Sequence, residues 1–267
     1  MMSEVEYKKA WKPSDNFVSS REERERIKAL KEAKISTFLL EETFSTSARI
    51  AKLIDTTQTT AYRTLKKMEL QGLVKMHEEA LSLGRSGKQV IWGLTPTGAL
   101  LATDIEDENF RIDYYEVGRV KPVTLEHSLD VQDVRIFAEK HGWTEWRSSR
   151  KVQRMAHGDR STWLQVPDAL AISPDGFKTA FEIERTVKTP KRYDAILTNY
   201  ALMIKEKTID EILYISPEKI SSRLEKLFKS IPSITIDKQK IPVSDGLLKR
   251  FHFLTYEKWK CCEKSSF

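Results

Sequence analysis

The sequence predicts an α+β fold in two units: a helical front half closed by a β hairpin, then a mixed sheet flanked by helices. Three observations carry this. Within "STSARIAKLIDTTQTTAYRTLKKMELQGLV", residues 45–74, two helical stretches meet across a short polar turn. The stretch that follows, "LVKMHEEALSLGRSGKQVIWGLT", reads as two strands around a glycine-rich basic tip. From Val123 onward helical and strand-like stretches alternate, which is the pattern of a sheet with helices on its faces.

A length of 267 residues gives room for two domains, each with its own core. The hydrophobic fraction of 40% with six Trp argues for packed domains rather than a disordered chain. Lys plus Arg outnumber Asp plus Glu by 45 to 39, a net +6 that mildly favours a polyanionic partner. The two cysteines, Cys261 and Cys262, are adjacent, so a disulfide framework is excluded and a reducing compartment expected. No apolar run approaches the roughly 18 residues needed to cross a bilayer. "MMSEVEYKKAWKPSDN" is too polar for a signal peptide, so the expectation is a cytoplasmic protein with no membrane span.

The elements follow in order. After a polar lead (1–24), "REERERIKALKEAKISTFLLEETF" carries Ile27, Leu30, Ile35, Phe38 and Leu39 at roughly helical spacing. The next helix ends near Asp55, and the one after it is closed by Gly72 at a C′ position. In that helix Ala61, Leu65 and Met68 fall at i, i+4 and i+7 and face the core. Thr59, Thr60, Arg63, Lys66 and Lys67 are left on the opposite face. Short polar groups for base edges and cations for phosphates are what a DNA recognition helix needs. The strand pair ends at Leu94, with Gly84, Arg85, Ser86, Gly87 and Lys88 at its tip; "TPTGALLAT" then opens a helix with Pro at its first position. Residues 43–94 hold eight basic and four acidic side chains, which places the positive charge on this segment. The order of helices, "ELQGLV" and basic tip resembles the winged-helix superfamily over residues 25–104. The resemblance implies duplex DNA binding, with Arg85 and Lys88 on the wing. Residues 105–122 are expected to be a linker.

In the second unit (123–267), "PVTLEHSLDVQDVRIFAEKHGW" reads as a helix; "TEWRSSRKV", "TWLQVPDALAIS" and "FKTAFEIER" read as strands. A helix opened by Pro190, the strand "EILYIS" and the helix "PEKISSRLEKLFKSI" follow, with "ITIDKQKIPV" and "RFHFLTYEKW" as peripheral strands. Ser173-Pro174-Asp175-Gly176-Phe177 has the chemistry of a three-residue hairpin loop, a type I turn with a glycine bulge. Ser173 then faces Phe177, and Asp168 falls opposite Glu182. Cross-strand partners share a face, and Glu184, two residues on, shares it too. Three carboxylates among apolar neighbours are costly unless something positive lies between them. Hard oxygen ligands suit Mg²⁺ or Mn²⁺, so Asp168, Glu182 and Glu184 are the expected metal ligands. With Lys188, or Lys191, to steady charge on a phosphate, they form the expected catalytic set. Arg147, Arg150, Lys151 and Arg154 are expected to line the cleft as phosphate contacts. On the helix before the hairpin, Glu126 or Asp130 is the candidate to join the metal, and His127 reads as a hydrogen-bonded residue at the core edge.

Pro167-Asp168, a spacer, then Glu182-Ile183-Glu184 resembles the metal hairpin of restriction-endonuclease-like nucleases, whose motif is PD, a spacer, then (D/E)xK. Glu184 stands where Lys is usual. More narrowly, "LEHSLDVQDVR", "QVPDALA" and "FEIERTVKTPKRYDAILTNY" resemble the MobC-type plasmid mobilisation relaxases and the related replication-relaxation family. That resemblance implies a winged helix-turn-helix followed by a restriction-endonuclease-like, PD-(D/E)xK-type α/β domain. It also implies a relaxase that nicks double-stranded DNA at a plasmid origin of transfer or replication, using Mg²⁺ or Mn²⁺ and working with a coupling or replication protein. The alternative is a non-catalytic replication or transcription regulator that keeps the endonuclease fold as a scaffold, and Glu184 in place of Lys is its main support.

Overall fold

The computed structural model describes residues 20–80, 87–103, 114–118, 120–158, 162–236 and 238–261. The front half is built from α1 (Arg21–Glu42), β1 (Phe44–Ser45), α2 (Ser47–Leu53), α3 (Gln58–Leu70), β2 (Val74–Ala80), β3 (Lys88–Leu94) and α4 (Pro96–Ala102). Each helix start has a local cause. The side chains of Ser20, Thr46, Thr57 and Thr95 accept the N–H of Glu23, Arg49, Thr60 and Gly98, satisfying a donor that the first turn leaves open. Helix α1 starts at Arg21, inside the stretch expected to be lead, because Ser20 caps it and Glu22 and Glu23 suit its N-terminus. Gly72, at φ +73°, ends α3, and the Leu73 N–H bonds the Met68 carbonyl at 2.9 Å. Ala61, Leu65 and Met68 are fully buried in a core with Ile35, Leu39, Ile50 and Trp92, as the spacing predicts. The three strands form an antiparallel sheet ordered β1-β3-β2.

The second half runs α5 (Pro122–Lys140), β4 (Thr144–Ser148), α6 (Ser149–Gly158), β5 (Ala169–Ile172), β6 (Lys178–Ile183), α7 (Pro190–Lys205), β7 (Glu211–Ser216) and α8 (Glu218–Lys229). It closes with β8 (Ser233–Ile236), β9 (Gln239–Pro242), α9 (Asp245–Leu248), β10 (Phe251–Thr255) and α10 (Tyr256–Cys261). Five strands form one sheet ordered β10-β7-β6-β5-β4, antiparallel from β4 to β6 and parallel from β6 through β7 to β10. Alternation along β6 sorts its side chains: Ala180 packs with Tyr193, Tyr200 and Tyr214 under α7 and α8, while Phe181 and Ile183 pack with Val131, Trp143 and Trp259 under α5 and α10. Glu182 and Glu184 therefore belong to the α7 side.

Two sequence expectations are corrected here. The strand expected through Val152 stops at Ser148, and α6 follows, because Val152 and Ala156 bury at i and i+4 while Lys151, Gln153 and Arg154 stay in solvent. The stretch "RFHFLTYEKW" is a strand only to Thr255: β10 is an edge strand of the main sheet, and the helix after it plants Trp259 in the core. Its partner β7 lies far back in sequence, and a parallel crossover of that length leaves no local signal.

Helix α5 is held by both halves. Its Ile136 enters the front core, and Leu125 and Leu129 pack with Phe44, Ile91 and Tyr115. Buried Gln132 accepts from Ser45 Oγ at 2.8 Å and donates to the Phe44 carbonyl at 2.7 Å. Asp133 pairs with Arg49 at 2.6 Å and Lys52 at 2.7 Å. Arg135, buried, pairs with Glu41, with Glu42 at 2.7 Å and with Glu139 at 2.8 Å. Among the described residues no helix is long and apolar enough to cross a membrane.

Candidate functional site

The hairpin loop fixes everything downstream of it. Ser173 N–H donates to the Phe177 carbonyl and Gly176 N–H to the Ser173 carbonyl, both at 2.9 Å, and Gly176 sits at φ +89°, where a side chain would be strained. The loop is therefore Pro174-Asp175-Gly176, and the ladder pairs Ile172 with Lys178 through to Ala169 with Phe181. Past that ladder the regular pairing ends: Asp168 N–H donates at 2.9 Å to the carbonyl of Phe181, which already pairs with Ala169, so the ladder does not continue to the expected Asp168–Glu182 pair.

Around these two acids the side chains are tightly held. Asp168 Oδ2 accepts the Ile183 N–H at 2.8 Å, and Oδ1 lies 2.9 Å from His127 Nε2. Glu182, only 6% exposed, accepts from Tyr200 Oη and, at 3.2 Å, from Gln165 Nε2, both on Oε1. Burial, and then the charge of Asp168, push its carboxyl up to about 7; the bonds from Tyr200 and Gln165 and the nearby Lys188 charge only partly oppose them. Glu184 is buried and ion-paired with Lys188. Burial draws the Lys188 ammonium below its usual value despite the charges of Glu182 and Asp168. For His127 burial also works against the charged form, but the hydrogen bond and charge of Asp168, with the charge of Asp130, outweigh it and raise the imidazole.

The three carboxylates do not converge: Glu182 and Glu184 belong to the α7 side of β6, whereas Asp168 lies beyond the last ladder pair and bonds His127 of α5. Among the described residues no group of three His, Cys, Asp or Glu side chains is arranged to hold a metal ion. The expected trio reduces to the Asp168–Glu182 pair, because Glu184 is two residues along the strand and taken by Lys188. The pair still fits a hard divalent cation, which commonly takes one or two carboxylates and completes its shell with water and phosphate. Tyr214 supports the fit. It stands beside Glu182 across the β6–β7 ladder, fully buried, with no hydrogen-bond partner for its hydroxyl among the described residues. A polar atom left open next to a carboxylate is what an ion's water shell satisfies.

Neither acid proposed to join from the preceding helix does so. Arg185 takes both, Glu126 at 2.7 Å and Asp130 at 3.1 Å, because it directly follows Glu184 and its side chain faces α5 rather than α7. The α5 side chain that bonds Asp168 is His127. The sequence read it as a core-edge hydrogen bonder, and its position one residue after Glu126 was the only available signal.

The proposed DNA face is divided. Thr59, Thr60, Arg63 and Lys67 lie exposed along α3. Lys66, partly exposed, pairs with Glu69 at 2.7 Å, and its Nζ lies 5.6 Å from the centroid of Trp92. Exposed Lys88 pairs with Glu78 at 2.8 Å, and Arg85 falls outside the described residues. Arg147 pairs with Glu145 at 2.9 Å, Arg150 donates to Thr43 Oγ1 on the front half, and Lys151 is exposed on α6.

A family model described as replication-relaxation matches residues 37–211, from within α1 to the start of β7. No curated protein matches the chain. Among solved structures, Lactococcus lactis ZitR, crystallised as an apo double mutant, is 28% identical over 30% of this chain at a TM-score of 0.23. The chain spans 57% of that structure's length.

Proposed function

This chain belongs to the replication-relaxation family, and from that premise we propose that it is a MobC-type relaxase that nicks double-stranded DNA at a plasmid origin of transfer or replication. In this reading residues 25–104 are a winged-helix DNA-binding domain and residues 123–267 a restriction-endonuclease-like domain. The helix-turn-helix of α2 and α3, with Thr59, Arg63 and Lys67 exposed on α3 and the β2–β3 hairpin beside it, supports the first assignment. The observation that carries the function is the Asp168–Glu182 pair beside the β5–β6 hairpin, with the Glu182 carboxyl raised by burial and by the charge of Asp168.

Asp168 and Glu182 would hold Mg²⁺ or Mn²⁺, which when bound stabilises charge on a phosphate and acidifies a water. The chain's own residues do the rest. Tyr200 and Gln165 orient Glu182, and Lys188, reaching back four residues to Glu184, places an ammonium near both ligands. That position lets Lys188 supply the charge that the usual Lys of the motif would bring. Arg147, Arg150 and Lys151 would steer the DNA backbone. A coupling or replication protein would be the further partner.

The test is nicking of supercoiled plasmid carrying the cognate origin, with Mg²⁺ or Mn²⁺ against EDTA. Asp168→Asn should abolish nicking and leave duplex binding intact. Metal-independent cleavage, or full activity in Asp168→Asn, refutes the assignment. One observation favours a second reading, a DNA-binding regulator on a non-catalytic scaffold: Lys188 neutralises Glu184 within the fold, leaving a two-carboxylate site. Origin binding without nicking in either metal selects it.

A further inference from the structure

We propose that His127 is a positioning residue that fixes the carboxylate of Asp168 for cation capture, an assignment that rests on the metal-dependent reading above. Asp168 lies one residue ahead of β5, at the end of an irregular stretch, and the main-chain bond of its N–H to Phe181 does not set its side-chain torsions. Two donors do. Ile183 N–H holds Oδ2 at 2.8 Å from β6, and His127 Nε2 holds Oδ1 at 2.9 Å from α5. One hydrogen bond leaves a carboxylate free to swing about the bonded oxygen; a second donor from a different element fixes its plane.

The imidazole is well placed because its helix is anchored on both sides. Arg185 ties down Glu126 and Asp130, which flank His127 in sequence, at 2.7 and 3.1 Å. Further along, Gln132, Asp133 and Arg135 fasten the same helix to the front half. Since Nε2 is spent on Asp168, His127 acts through that carboxylate rather than on the cation. Groups that orient a ligating side chain in this way typically change metal affinity by about 10- to 100-fold.

The experiment is a Mn²⁺ titration of the full chain, with free ion read by electron paramagnetic resonance. It compares wild type, Asp168→Asn, His127→Ala, His127→Gln and His127→Phe, with metal-free melting temperature and duplex binding as controls of the fold. His127→Ala and His127→Phe should bind Mn²⁺ about 10- to 100-fold more weakly. His127→Gln, which returns a donor, should recover most of the loss. All variants should bind duplex as wild type does. The Phe variant keeps the ring's bulk without its nitrogens, so it decides the matter if the Ala variant fails to fold. Wild-type Mn²⁺ affinity in His127→Phe, with binding lost in Asp168→Asn, overturns this assignment and leaves the metal site standing. No Mn²⁺ binding by wild type overturns the metal-dependent reading and this assignment with it.

Discussion

Replacing Glu182 with Gln should make the metal-free protein more stable at neutral and alkaline pH and no more stable in acid. Gln keeps the oxygen that accepts from Tyr200 and Gln165 and removes the charge that burial and Asp168 oppose. The carboxyl stands at about 7 in the folded chain against an ordinary 4.5. At about 1.4 kcal/mol per pKa unit, the ionised group costs on the order of 3 kcal/mol. The folded-state value is the raised one, so this stability is fully present below pH 4.5 and is lost as pH rises through 7. In a chain of this size 1 kcal/mol moves the melting temperature by roughly 2–4 °C. The variant should therefore match wild type below pH 4.5 and melt roughly 6–12 °C above it at pH 8 in EDTA. Millimolar Mn²⁺ should raise wild type and close the gap, since a ligand that binds only the folded state stabilises it. Scanning calorimetry of both proteins, with NaCl at matched ionic strength, measures the difference. A gap that stays flat with pH, together with equal shifts in both proteins from Mn²⁺ and NaCl, would refute the idea that burial and the charge of Asp168 hold the Glu182 carboxyl up for a cation to relieve.

Two further outcomes are expected. Arg63→Ala or Lys67→Ala should weaken origin binding and reduce the slope of log affinity against log salt by about one unit each; slopes unchanged in both, measured over a salt series, remove α3 as the reading helix. Arg135→Ala strands the buried carboxylate of Glu42 and should cost about 3–5 kcal/mol in urea unfolding, whereas a loss below about 1 kcal/mol means that the network is solvated rather than buried.

What the sequence disclosed depended on how local the cause was. Pro174-Asp175-Gly176 dictates its own loop length, so the hairpin register from Ile172–Lys178 to Ala169–Phe181 was legible from five residues, while the irregularity at Asp168 was not. Ala61, Leu65 and Met68 were legible for the same reason, since helical spacing alone chooses the buried face. The partners of the carboxylates were not. Whether Glu126 meets a cation or Arg185, and whether Glu184 is open or held by Lys188, depends on the distance between α5, β6 and the segment before α7, which no short-range pattern encodes. The neighbours of Lys66 were hidden for a related reason: its place on α3 is on the polar side, and Trp92 of a later strand comes up beside it.

The double attachment of α5 has a consequence for how the chain can be taken apart. The expected linker, residues 105–122, marks a boundary in sequence, but the front half's Phe44 and Ile91 bury against Leu125 and Leu129, and its Glu42 and Arg49 spend their charges on Arg135 and Asp133, all beyond that boundary. A front fragment ending before α5 would expose an apolar face and leave buried acids unneutralised, so it should behave as an aggregating species rather than a free module. Heat or urea should melt the intact chain as one cooperative unit. Grafting this front half onto another sheet would require α5 to travel with it.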